Sequence, residues 1–452
     1  MHSANLTTAR IKKTALFISV IFTYTFAFAQ ENSPYSRYGL GDVIPSQNMV
    51  SKSMGGITAG FIDSSGFLSF SQSINLNNPA ALGSLNTTLF DFGTEIDVRS
   101  LKSNISPQKY TGVNTIISYL QLGFPITPKR MLMKGNYWGV SFGLRPVTRI
   151  NYKIVADSRI IGIDSVTTLY EGTGGISRAN FSTGIKIKNF SFGLSTGYTF
   201  GNRETGTKLG FNNDTVKYMQ SNTLAESRFG GVFLNLGAQY SIRLKNKNVL
   251  RLGVTADLQQ NLKAKRNKVN ETFFYNSDGD ITAIDTVTSL IDEPGIVKLP
   301  ATFTGGFTYT NAHWLVGADA EYTTWSKYRY YGVQDPVQDN VTLHIGGQYY
   351  PAGANTPAKK YWSFVKYRAG VYYGNDYIKL NTNRPSYGFT FGAGLPLTSF
   401  RRLRLGEFVT LNTGVEAGQH GNKQNLGIRE SIFRFNFGIA MTAAWFQKRK
   451  YD

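Results

Sequence analysis

The sequence predicts an all-β protein: a transmembrane antiparallel β-barrel of about fourteen strands. Three observations lead there. The first is alternation. Phe433, Phe435, Phe437, Ile439, Met441, Ala443 and Trp445 share one parity, while Arg434, Asn436, Gly438, Ala440 and Thr442 hold the other. Successive side chains of a strand point to opposite faces, so one face is apolar and the other polar or small. The second is an export leader. Arg10, Lys12 and Lys13 precede the apolar run Thr14 to Phe26, and Ala27-Phe28-Ala29 supplies a small-x-small cleavage pattern. Residues 1–29 therefore read as a signal peptide cleaved before Gln30. The third is composition: 14% aromatic residues and 47 glycines in 452 residues, with no later apolar run of the roughly 18 residues a helical span needs. In a membrane barrel, apolar and polar residues alternate and cancel in any average.

The same parity recurs along the chain. Val232, Leu234 and Leu236 alternate with Asn235 and Gly237; Leu250, Leu252 and Val254 with Arg251 and Thr255. Val341, Leu343 and Ile345 alternate with Thr342 and His344; Tyr367, Ala369 and Val371 with Lys366, Arg368 and Gly370. A soluble sandwich shows such alternation too. Many of these segments reach the ~9–11 residues that cross a bilayer, and aromatic pairs such as Tyr349-Tyr350 and Tyr372-Tyr373 sit at their ends as interfacial girdles do. Strands are expected over 87–100, 111–124, 136–155, 174–188, 190–204, 226–243, 249–273, 284–310, 313–331, 340–350, 363–379, 386–395, 407–419 and 430–446. The domain plan is a signal peptide (1–29), an N-terminal extension and hatch (30–86) and a barrel (87–452).

Connections alternate in length. The segments near Asn189, at 245–248 and at 310–313 are tight, whereas 201–227 and 270–285 are long and polar. Short turns belong on the periplasmic side and long loops outside. Charge sorts accordingly. Lys129, Arg130, Lys134, Lys245, Lys247, Lys359, Lys360, Arg401, Arg402, Arg404, Lys448, Arg449 and Lys450 fall at the periplasmic rim; Asp164, Asp214, Asp278, Asp280, Asp335 and Asp339 fall in outer loops. Removal of the three leader cations takes the net charge from +20 to +17. The basic rim serves either as an anchor in outer-membrane lipid or as a dock for an acidic periplasmic or outer-membrane protein partner. No basic stripe carries interleaved stacking aromatics, so nucleic acid is not an expected partner.

No enzyme chemistry is indicated. With no cysteine in the chain, disulfides and thiolate metal sites are excluded. His313, His344 and His420 lack a second ligand at metal spacing, so neither a metal site nor a cofactor is expected. Asp319, Glu321 and His344 fall at lumen-facing positions, where acids commonly balance Arg and Lys.

The segment 297–328 is a hairpin. Pro300 enters a strand, 310–312 turns, and Trp314, Val316, Ala318, Ala320 and Tyr322 face lipid. Leu299-Pro300, Gly305-Gly306, Trp314 and then Tyr322-Thr323-x-Trp325-Ser326 resemble the signature hairpin of FadL-type outer-membrane transporters of long-chain fatty acids and other hydrophobic compounds. The stretches 364–373 and 387–397 follow in that family's order, and 77–82 resembles its Asn-Pro-Ala motif. The resemblance implies a monomeric barrel in the cell outer membrane. Asn78, Pro79 and Ala80 would lie in a hatch, and hydrophobic small molecules would pass inward. The family also includes accessory barrels of the type IX secretion system, so a non-transporting subunit that docks or stabilises a secretion or assembly machine is the alternative. The segment 30–56 is longer and more polar than a minimal hatch lead, and the ligand-contacting residues of the family do not map onto this chain.

Overall fold

The computed structural model describes residues 33–63, 73–104, 109–213, 216, 218–276, 281–352, 360–380, 384–398, 408–423 and 427–442. The signal peptide, Trp445, the acids Asp214, Asp278 and Asp280, and the cations Lys359, Arg401, Arg402, Arg404, Lys448, Arg449 and Lys450 lie outside the described residues.

Fourteen antiparallel strands close on themselves. They are β1 (Leu89–Ser103), β2 (Tyr110–Pro125), β3 (Tyr137–Arg159), β4 (Ser165–Ile187), β5 (Phe190–Phe211) and β6 (Gln220–Arg243). Next come β7 (Val249–Asp257 continuing as Gln260–Tyr275) and β8 (Ile281–Leu299 continuing as Thr302–Thr310). The series ends with β9 (Trp314–Thr323), β10 (Asn340–Tyr349), β11 (Lys366–Asn375), β12 (Pro385–Pro396), β13 (Val409–His420) and β14 (Ile428–Thr442). Both parts of β7 pair with β6, and both parts of β8 pair with β7, so each is one interrupted strand. Pairing of β14 with β1 over fifteen residues closes the barrel. Among the described residues no helix is long and apolar enough to cross a membrane.

Burial is inverted relative to a water-soluble sheet. Val254 is 58% exposed and Ile345 57%, whereas Arg434 and Asp319 are each 4% exposed. The apolar parity faces lipid and the polar parity faces the lumen. Placing a cation on the lipid face at mid-span should therefore destabilise the barrel. Ile345→Arg is expected to cost about 2–4 kcal/mol in urea titrations of the protein folded into liposomes.

Strand boundaries depart from the sequence expectation in several places. The supposed long loops 201–227 and 270–285 are largely strand: β5 runs to Phe211, β6 starts at Gln220, β7 runs to Tyr275 and β8 starts at Ile281. Strands of 22–24 residues exceed the ~9–11 needed to cross, so β3–β8 continue as a sheet beyond the membrane. There, both faces meet water, and polar residues are compatible with a strand. Conversely, the expected strand 313–331 ends at Thr323. Trp325–Lys327 is a 3₁₀ turn, and Arg329–Tyr330 pairs across to Lys298 and Val297 of β8.

Candidate functional site

The lumen holds residues 33–63 and 73–86. A barrel of this size has an interior too wide for wall side chains to fill. The N-terminal segment enters at the outer end and descends to the periplasmic end, where Leu82, Leu85 and Ile74 pack with Leu89, Phe408 and Ala440. Midway lies the short helix Met49–Lys52. Its Asn48 cap accepts from Ser51 N at 2.8 Å and donates to Ile74 O at 2.6 Å. Asn78 caps the turn Pro79–Ser84, accepting from Ala80 N at 3.0 Å and donating to Ala59 O at 2.6 Å. Asn78, Pro79 and Ala80 thus lie inside the barrel, against β5 and β6.

The wall is shaped to receive this backbone. Each of the fourteen strands carries an inward glycine. Gly139, Gly184, Gly193 and Gly237 stand in register on β3–β6. Gly317, Gly346 and Gly370 do so on β9–β11, and Gly392 with Gly414 on β12–β13. A Cβ on Gly253 of β7 would lie 1.9 Å from Ala59 O; one on Gly346, 2.1 Å from Met54 O; one on Gly193, 2.2 Å from Ala80 N. Gly438 and Gly93 receive Met49, and Gly123 of β2 receives Ile74 and Leu85. The plug therefore sits backbone against backbone on the wall, a closeness only glycine allows.

Charge fastens it. Lys52 Nζ meets Glu95 Oε2 of β1 at 2.5 Å, and Asp63 Oδ1 meets Lys366 Nζ of β11 at 2.8 Å. All four side chains are buried. Asp91 accepts from Ile74 N at 3.0 Å. Asp319 accepts from Thr58 N at 2.5 Å and Ala59 N at 2.7 Å. His344 Nδ1 lies 2.6 Å from Gly55 O. Among the lumen residues singled out from sequence, Asp319 and His344 are neighbours across β9–β10 and hold the plug rather than balancing wall cations. Glu321 lines a cavity instead.

That cavity, about 230 Å³, lies between residues 40–47 and the wall. Leu40, Ile44, Val147, Ile176, Leu299 and Trp325 give it a mostly apolar lining, with Arg178 paired to Asp257 at 2.7 Å on one side. The hairpin residues gather around it. Pro300 sits at the interruption of β8, Thr323 Oγ1 is 3.0 Å from Thr302 Oγ1, and Trp325 stacks on Tyr377 with ring centroids 4.4 Å apart. Ser326 N and the Tyr322 hydroxyl both donate to Asp339, at 2.7 and 2.9 Å. Gly306 lies against the Asp319 carboxylate, while Gly305 and Trp314 face outward, the latter tilted against the Tyr349 ring.

The wall is not continuous. β2 pairs with β3 only over Leu120–Pro125, although it pairs with β1 up to Tyr110 and β3 pairs with β4 up to Arg159. Beyond Leu120 the two strands part. Residues 33–44 lie along the freed edge of β3: Asp42 and Val43 pair with Arg149 and Thr148, and Ile44 N donates to Val147 O at 2.9 Å.

Comparisons with known proteins place this geometry. A family profile described as BamG matches residues 10–452, nearly the whole chain. The chain belongs to the BamG family. Several solved structures share the fold of this BamG-family barrel. The P. putida toluene transporter TodX is 13% identical, with a TM-score of 0.55 over 89% of this chain and 99% of that one. A Pseudomonas aeruginosa FadL homologue is 14% identical, with a TM-score of 0.52 over 90% and 100%. The CymD monoaromatic hydrocarbon channel is 14% identical, with a TM-score of 0.50 over 89% and 98%. The fold is thus that of the FadL-type channels of outer membranes. No curated relative matches by sequence.

Proposed function

We propose that this barrel is a plugged, non-enzymatic docking subunit of an outer-membrane assembly machine, built on the FadL-type channel fold. The observation that carries this reading is the state of the lumen. Its plug is seated on a ring of glycines and fastened by buried ion pairs, and the break in its wall is occupied by its own N-terminal residues. Such a lumen supports a scaffold better than a conduit. The BamG name points toward an assembly machine as well.

The periplasmic turns offer the contact surface. The β2–β3 turn carries Lys129, Arg130 and Lys134 beside the exposed Leu132 and Met133; Lys188, Lys245 and Lys247 lie in the neighbouring turns. Residues 126–136, 187–189 and 243–249 contain no acid. A partner with an acidic face matches this surface. The triple replacement Lys129→Glu, Arg130→Glu, Lys134→Glu should leave the folded barrel intact and strongly reduce its co-purification with its partner complex at physiological salt. Unchanged recovery would contradict docking at this rim.

A second reading, uptake of small hydrophobic compounds, is favoured by one observation. The mostly apolar cavity is large enough for a one-ring compound and lies near the break in the wall. It predicts that a deletion strain loses growth on, or accumulation of, such compounds; the docking reading predicts no change.

A further inference from the structure

The outward face of β6–β8 changes character where the sheet leaves the membrane. The lower parts of β7 (Val249–Asp257) and β8 (Thr302–Thr310) are nine residues each, enough to cover the hydrocarbon. On β6 the outward positions at that depth include Val232, Leu234 and Leu236, all exposed and apolar. Above them, cations take over the same face: Arg228 of β6, Lys263 and Lys265 of β7, and Lys298 of β8, all exposed. Strand pairing gathers them. Arg228 stands opposite Lys265 and Gly230 opposite Lys263. Lys298 stands opposite Asn261, which makes it a diagonal neighbour of Lys263. Glu226 meets Arg228 at 2.8 Å and Asp292 meets Lys265 at 3.3 Å. Among the described residues, Lys263 and Lys298 form no ion pair. The Tyr198 ring of β5 lies over Gly230, where a Cβ would sit 2.5 Å from its hydroxyl oxygen. With Arg228, Lys263 and Lys265, Tyr198 borders an open pocket of about 480 Å³ on the outer wall.

We infer that this patch binds the phosphorylated head group of an outer-leaflet glycolipid, whose acyl chains lie down the apolar face below. A lysine rooted at the edge of the hydrocarbon extends its ammonium toward the head groups. Lys263 and Lys298 find there the counter-charge that the protein withholds from them. A phosphate accepts charge-assisted hydrogen bonds from several cations at once. The exposed pairs with Glu226 and Asp292 are weak and yield to it. Tyr198 suits the boundary, with its ring toward the chains and its hydroxyl toward the head group. The order of the surface decides the class of ligand. An acidic protein face would match the cations alone, whereas a lipid matches the cations and the exposed Phe200, Val232 and Leu234 beneath them. The patch lies at the opposite end of the barrel from the periplasmic turns, so the inference stands separately from the docking reading.

The test measures binding of rough-type lipopolysaccharide, intact and dephosphorylated, to the full barrel in mild detergent after its own glycolipid has been stripped. Three proteins are compared: the wild type, the triple variant Arg228→Gln, Lys263→Gln, Lys298→Gln, and the control Lys153→Gln, Lys208→Gln. The control removes two cations elsewhere on the upper sheet, where both meet Glu171. All five side chains lie at the surface, and heat-modifiable gel mobility checks that each barrel is folded. The expected result is at least tenfold weaker binding of the intact glycolipid by the triple variant, a similar loss when the wild type meets the dephosphorylated form, and a control like the wild type. Equal binding by the triple variant, equal binding of the dephosphorylated lipid, or an equal loss in the control would each overturn the inference. So would displacement of the glycolipid by excess inorganic phosphate, since the patch would then be a site for a free anion. The chain has no native cysteine, so Asn202→Cys, opposite Arg228, can carry a benzophenone in whole cells. A crosslink to glycolipid is expected; a crosslink to protein alone would assign the patch to a partner and overturn the inference.

Discussion

Gly346→Val should drive the plug off its seat. The added Cβ would lie 2.1 Å from Met54 O and 2.5 Å from Met54 C, a collision with backbone that no rotamer change relieves. Overpacking by flexible side chains typically costs about 1–3 kcal/mol. Here both partners are main chain, one of them part of the barrel wall, so the effect should exceed that range. The expected outcome is a barrel that either fails to reach its heat-resistant form or reaches it with residues 47–62 open to protease, while Gly206→Val behaves as wild type. Gly206 is the fair control, because a Cβ there meets nothing within 4 Å. Limited proteolysis followed by mass measurement of the fragments separates the two glycines.

The second large effect is expected at the ion pair between Lys52 and Glu95. Both side chains are at most 2% exposed, and only one of them belongs to the plug. Glu95→Ala leaves an ammonium buried without its carboxylate, which costs about 3–5 kcal/mol. Replacing both partners with apolar residues of similar size, as in Lys52→Met with Glu95→Leu, should restore most of that loss, since no charge is then stranded. Urea midpoints for the wild type, each single variant and the double variant form the cycle. A Glu95→Ala midpoint equal to wild type would mean that this pair does not fasten the plug.

Much of the barrel was legible in the sequence, for a physical reason. A wall between lipid and a polar lumen forces strict alternation, so the parity of Phe433 to Met441 or of Val341 to Ile345 declares both the strand and its orientation. The rule lapses where the surroundings change. Beyond the membrane, β5 and β6 are wet on both faces, and residues 201–211 and 220–227 looked like loop although they are paired strand. The plug was legible only as a place. Asn78, Pro79 and Ala80 lie within the lumen, yet what holds them is the glycine ring. Its sign was present as an apolar-Gly-apolar triplet in strand after strand: Trp138-Gly139-Val140, Phe192-Gly193-Leu194, Leu252-Gly253-Val254, Phe437-Gly438-Ile439. Alternation counting treats such a glycine as merely small. The pairing of the N-terminal lead with β3 was hidden more deeply. Nothing in Ser33 to Ile44 shows local periodicity, because its pairing partner, the free edge of β3, exists only once the barrel has closed. The ion pairs were equally distant, with Lys52 and Glu95 separated by 43 positions and Asp63 and Lys366 by 303.

As proposed, this lumen-filled barrel works as a member of an assembly machine. The most direct test is the mass and composition of the protein extracted from its native outer membrane in mild detergent. The docking role predicts a stable complex in which one copy of this barrel accompanies larger outer-membrane and periplasmic partners in fixed stoichiometry, with the plug in place. A lone barrel, with a small hydrophobic compound bound in the cavity beside Leu299 and Trp325, would contradict it.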